Sequence, residues 1–115
     1  MKKHPTQMEM RSPFSLLDES ASLIRERGKQ YGKFEDSFTT NAKGLELVLK
    51  QEVKPFQAPL ILAITKLTRL LFDPTNRDSW VDLIAYLAMA ASMALREKDE
   101  TCLLYTSDAA DDVVR

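Results

Sequence analysis

Residues 60–95 decide the fold: Leu60-Ile-Leu-Ala-Ile-Thr-Lys-Leu-Thr-Arg-Leu-Leu-Phe72, then Asp73-Pro74-Thr75-Asn76, then Arg77-Asp-Ser-Trp-Val-Asp-Leu-Ile-Ala-Tyr-Leu-Ala-Met-Ala-Ala-Ser-Met-Ala-Leu95. The first stretch is apolar at nearly every position except Thr65, Lys66, Thr68 and Arg69, so as a helix it is buried apart from one narrow polar stripe. The second is apolar almost throughout and carries its acids early, at Asp78 and Asp82. Pro74 cannot continue a helix, and it pushes Asp73 out of the helical region, so the two stretches are separate helices. Lys66 and Arg69 on one, with Asp78 and Asp82 on the other, predict a single cleft in which the four charges meet. Chemistry is expected there.

At 115 residues the chain is long enough for one domain and too short for two. Hydrophobic residues make up 44% and charged residues 29%, the balance of a soluble globular protein. A formal charge of −1 gives no broad electrostatic pull toward nucleic acid or an acidic membrane, so no extended nucleic-acid surface is expected and any anion site is local. No apolar run of about 18 residues is free of a charge or a helix break, which disfavours a membrane span. The start, Met-Lys-Lys-His-Pro-Thr-Gln-Met-Glu-Met, is basic but lacks the apolar centre of a signal peptide, and a cytoplasmic location is expected. The one cysteine, Cys102, has no intramolecular disulfide partner. The segment from Cys102 to Asp112 resembles the translation of a sequencing-library adapter, so residues 102–115 are expected to be foreign. That leaves a polar tail over residues 1–11, in which His4 has no assigned role, and one helical domain over residues 12–101.

Ser12-Pro13 is a helix start with a capping hydroxyl and a proline in the first turn, and Ser15 with Asp18 offers an alternative capping pair. Leu16, Leu17, Ala21 and Ile24 then share a face, and Gly28 is expected to close this helix. The connector Gly28-Lys-Gln-Tyr31-Gly-Lys33 is either a simple turn or a place where backbone amides and the lysines meet a phosphate. A second helix is predicted from Phe34 to about Glu52, with Phe34, Phe38, Ala42, Leu45, Val48 and Leu49 on one face. Its Glu35 and Asp36 either favour the positive end of the helix dipole or contribute to a metal site. Gly44 is a soft spot inside it, costing about 1 kcal/mol against alanine unless close packing requires it.

Pro59 begins the third helix, and Asn76 or Asp78 caps the fourth. Lys66 and Arg69, three apart, are neighbours that either snorkel to solvent or meet phosphates. Asp78 and Asp82, four apart, have Cβ atoms about 5–6 Å from each other, close enough to share a cation. Asp82 alternatively pairs with Arg69 or Lys66 and pins the two helices together. Trp80 and Tyr86 read as core or as ligand-stacking residues, with Tyr86 one turn beyond Asp82. The fold predicted is an all-α four-helix bundle, and the nearly all-round apolarity of its last two helices predicts a homo-oligomer.

The order Arg27, Tyr31-Gly32, Phe38, Asn41, Lys66, Arg69-Leu70, Asp78-Ser79-Trp80-Val81-Asp82 and Tyr86 resembles a family of small tailed-phage proteins catalogued as a domain of unknown function. More distantly, the arrangement is similar to nucleotide-modification-associated phage domains and to the MazG-like all-α nucleoside triphosphate pyrophosphohydrolases. The latter hold magnesium with acids from two helices and release pyrophosphate from a nucleotide. The resemblance implies a nucleotide ligand in the host cytoplasm, with Lys66, Arg69, Tyr31, Lys33, Asn41 and Trp80 as substrate-binding residues. It implies Mg2+ on Asp78 and Asp82, which carry catalysis, with Glu35 or Asp36 completing the metal set. The Glu-Glu-x-x-Glu and Glu-x-x-Asp motifs of the MazG-like enzymes are absent. A binder that sequesters a nucleotide without cleaving it, as an anti-defence protein would, is the alternative, and a structural helical oligomer is the third reading.

Overall fold

A computed structural model describes residues 7–31 and 33–104, with no side-chain description for residues 7, 31 and 100–104. His4, Gly32 and residues 105–112 of the adapter-like stretch therefore lie outside the described residues. The described chain is all-helical: α1 (Gln7–Met10), α2 (Pro13–Tyr31), α3 (Phe34–Leu49), α4 (Gln57–Phe72) and α5 (Arg77–Leu104). The four long helices are those expected from the apolar spacing, and α1 is an added single turn.

Local chemistry sets most of their ends. The Ser12 hydroxyl accepts the N–H of Phe14 at 3.1 Å, so the Ser-Pro pair starts α2 as its residue types predict. Asn76, rather than Asp78, caps α5: its side-chain oxygen accepts the N–H of Ser79 at 3.0 Å. Lys50 closes α3 in the left-handed region at φ 56°, and its N–H is bonded to the Glu46 carbonyl at 2.8 Å. The chain then turns because the Glu46 carboxylate accepts the N–H of Val53 at 2.9 Å. α4 starts two residues before Pro59, which still falls in the first turn, where its missing N–H leaves no hydrogen bond unmade.

α3 ends at Leu49, short of the expected Glu52, and two more boundaries differ from expectation. Gly28 does not end α2, which continues to Tyr31. A Cβ at Gly28 would meet nothing within 4 Å, so no close packing singles out glycine there. α5 extends well past Leu95. Its stretch Arg77–Asp99 is long and apolar enough by length and composition to cross a membrane. Within the bundle, however, the Val81, Ala85, Met89 and Met93 face of that helix is buried.

α5 is the central helix, packed most closely on α4 and then on α2, while α3 lies across α4 and α2. The core joins Phe38 and Ala42 of α3, Val53, Ala58 of α4, and Ala85, Met89 and Met93 of α5. Small residues let the helices approach closely, and methionines fill the irregular gaps. A buried hydroxyl fixes α2 on α5: Ser20 Oγ lies 3.0 Å from the carbonyl oxygens of both Leu16 and Val81, to which it donates.

Candidate functional site

Lys66 of α4 and Asp82 of α5 meet, Nζ to Oδ2, at 2.9 Å, with 16% and 19% of their side chains exposed. This settles which base Asp82 takes. Arg69 is exposed and makes no ion pair among the described residues. Asp78 is exposed in the first turn of α5. It and Asp82 line a depression of about 460 Å³ together with Glu19 and Glu26 of α2. Two of the four charges expected in one cleft are thus in contact. The second acidic pair comes from α2, which the sequence did not single out.

Glu35 and Asp36 are elsewhere. Glu35 pairs with Arg96 at 2.5 Å, and Arg96 follows Asp82 by fourteen residues on α5, about 21 Å along the helix axis. The magnesium set named from the sequence therefore does not converge. Among the described residues no group of three or more acid, histidine or cysteine side chains is arranged to hold a metal ion. The physical reason is the direction of α3, whose first turn packs beside the far end of α5. Glu35 is held below its ordinary value of 4.5, first by a hydrogen bond from its own backbone N–H and then by Arg96, against the opposing effect of burial.

A larger cavity, about 560 Å³, opens between α2, α3, α4 and α5. Its wall is apolar where Ile24, Leu62 and Met89 line it. Three rings run along it: Phe34 and Phe38 stand edge to face with centroids 6.4 Å apart, as do Phe38 and Tyr86. Arg27, Gln30, Ser37 and Asn41 supply polar groups. Arg27 and Asn41 are exposed and have no hydrogen-bond or ion-pair partner among the described residues. The hydroxyl of Tyr86 is also without one. Arg27, Phe38, Asn41 and Tyr86 all belong to the residue order that carries the family resemblance, yet they come from three helices and meet only through folding.

Lys33 borders an adjoining depression that shares Gly28 and Phe34 with this cavity and also contains Asp36 and Arg96. Lys33 is exposed, while Arg96 is engaged by Glu35. The cavity thus has an aromatic interior with Arg27 on its wall, and Lys33 lies past Gly28 and Phe34 in the adjoining depression, beside Glu35 and Asp36. Lys66 and Asp82 sit one helical turn from Leu62 and Tyr86, respectively, at the other end. Trp80 lines neither space: its indole N–H donates to the Pro74 carbonyl at 2.8 Å and closes the α4–α5 turn. The Tyr31 side chain lies outside the described residues.

Arg77 is a structural residue that the sequence did not flag. Its Nε bonds Glu19 Oε1 at 2.9 Å, one Nη reaches Ser15 Oγ at 3.2 Å, and the other donates to the Met10 carbonyl. It ties the first turn of α5 to α2 and α1. The available signal was only that an arginine precedes Asp78 at a helix start, where the helix dipole favours an acid.

No curated protein and no solved structure is a significant match to the chain. The family described as a domain of unknown function, DUF6378, matches it over residues 15–94, from the first turn of α2 to late in α5. That span contains every residue of the cavity and of the Lys66–Asp82 contact, and the chain belongs to the DUF6378 family.

Proposed function

We propose that the cavity between the long helices binds a nucleotide. The reading rests on one observation: Arg27 and Asn41, both unengaged, share a 560 Å³ space with the Phe34, Phe38 and Tyr86 rings. Ligand sites of roughly 300–1,000 Å³ are mostly apolar, with a few convergent polar groups. A planar base suits the ring-lined interior, and the Asn41 amide can both donate to and accept from a base edge. Arg27 on the cavity wall and Lys33 in the adjoining depression suit phosphate oxygens, and a guanidinium does so in bidentate fashion. Lys66, already engaged by Asp82, is thereby less suited to phosphate than Lys33.

A thermal-shift screen over a nucleotide panel, with and without Mg2+, tests this. A nucleotide that fits is expected to stabilise by about 2.7 kcal/mol when present at a hundredfold excess over its Kd. Arg27→Ala and Asn41→Ala are each expected to weaken binding by about tenfold, roughly the 1.4 kcal/mol between the upper end for a neutral hydrogen bond and the lower end for a charge-assisted one. Because both side chains are exposed, the unliganded melting temperature should stay put. If no nucleotide shifts the melting curve, the reading fails.

Hydrolysis with release of pyrophosphate, as the MazG-like resemblance implies, is the second reading. The observation favouring it is the acidic depression, where Arg77 takes Glu19 and Lys66 takes Asp82 but Glu26 and Asp78 stay unengaged among the described residues; on this reading the phosphates lie there rather than at Arg27 and Lys33. Mg2+ delivered by a nucleotide needs only one or two protein carboxylates beside the phosphate oxygens. Intact recovery of the ligand supports a sequestering protein of the anti-defence kind in a phage-infected host cytoplasm. Recovery of a cleaved product supports the enzyme.

A further inference from the structure

Of the leucines and isoleucines among the described residues, only Leu70 is buried. The core is instead alanine, valine and methionine with Phe38, so the largest aliphatic side chains of the bundle are left partly or wholly outside it. On α4 they are ordered. Leu60, Ile64, Leu67 and Leu71 are all exposed, Ile64 to 61% and Leu71 to 79%. Steps of four, three and four residues put them on one stripe, the spacing of a coiled-coil seam. At 100° per residue this stripe is centred about 70–110° from the buried Ala63, Leu70 and Pro59 and about 130–170° from Lys66 and Arg69. On α5, the helix packed most closely on α4, Trp80, Ile84, Leu87 and Ala91 repeat the same steps.

The size of this surface argues for a protein partner. The exposed parts of Leu60, Ile64, Leu67, Leu71, Phe72, Trp80 and Leu87 come to roughly 600 Å² of apolar surface, taking about 200 Å² for a fully exposed aromatic and about 120 Å² for an aliphatic side chain. That is the upper end of the largest patch on a typical monomer, about 300–600 Å², and approaches the roughly 800 Å² that each partner contributes to a standard interface. A lipid surface is a poorer fit. Helices that lie on membranes carry lysine and arginine beside the apolar face, whereas threonines and alanines flank these stripes, on a chain of net charge −1. A seam with heptad steps is complementary to a second copy of itself about a two-fold axis.

We propose that two copies of this chain pair through α4, with Leu60, Ile64, Leu67 and Leu71 as the seam and Trp80 and Leu87 at its edge. The inference stands independently of any ligand. Light scattering on the full chain at tens of micromolar is expected to give twice the 13.1 kDa of one chain. The double variant Ile64→Glu, Leu71→Glu should be a monomer of unchanged helical content, because both positions are exposed within one copy. Should that variant fail to fold, Leu67→Cys with Cys102→Ser is decisive, since a position near the two-fold axis forms a disulfide with its counterpart on oxidation. A monomeric wild-type chain, a dimer that survives the two glutamates, or a cysteine variant that does not cross-link overturns the proposal. So does flotation of a monomer with anionic vesicles.

Discussion

Holding a lysine and an aspartate 2.9 Å apart with less than a fifth of either side chain exposed removes both from most of their water. Removing one partner leaves the other charge without its counter-ion and still largely out of water. Lys66→Ala or Asp82→Ala is therefore expected to cost roughly 2–4 kcal/mol, somewhat below the range for fully buried pairs. Lys66→Met combined with Asp82→Leu should recover most of that loss. Chemical denaturation of the four proteins checks both statements, and a double mutant no more stable than the singles would contradict them. Glu35 gives a second expectation at this scale. Its folded pKa is below the ordinary 4.5, so its contribution is present above that value and is lost as pH falls through the lowered one. Glu35→Gln should consequently lose less melting temperature than the wild type between neutral pH and about pH 3. Asp82 stood out in the sequence because a charge in an apolar helix needs a partner, and Glu35 because it falls in the first turn of its helix. The partner of each was decided by packing: Lys66 rather than Arg69 for Asp82, and Arg96 for Glu35.

Helices were legible where a side chain acts on its own backbone neighbours. Ser12 and Asn76 cap because a short oxygen can reach an N–H two or three residues on, and Pro74 separates α4 from α5 for reasons local to its ring. Gly28 misled because glycine ends helices only where the chain needs a positive φ. α3, by contrast, does take a positive φ where it closes, at Lys50, where no glycine announces it. Gly44 is a test at this scale. It lies inside α3, exposed, with open space where a Cβ would go, so close packing does not require glycine there. Gly44→Ala is expected to stabilise the protein by about 0.5–1 kcal/mol, measured as a higher denaturation midpoint at unchanged slope.

At the scale of the whole molecule, the bundle followed from four apolar periodicities, but its cavity did not. Arg27, Asn41 and Tyr86 occupy different helices, and no spacing within a helix encodes that they face one space. The Lys66–Asp82 contact was readable because a short turn makes α4 and α5 neighbours. The separation of Glu35 from Asp82 was not, since it depends on how α3 lies across the bundle. Ligand and self-association also bear on each other only through the shared helices α4 and α5. The melting temperature of the unliganded protein is expected to rise with protein concentration if the dimer forms, an effect that Ile64→Glu with Leu71→Glu should abolish.

Trp80 is the single tryptophan of the chain, 40% exposed and anchored through its indole nitrogen to Pro74. It sits at the edge of the surface assigned to a second copy and outside the cavity. The molecule therefore carries an optical reporter that is placed to see dilution of a dimer as a red shift in emission. A nucleotide entering among Phe34, Phe38 and Tyr86 should leave that emission nearly silent, so one spectrum separates the two events.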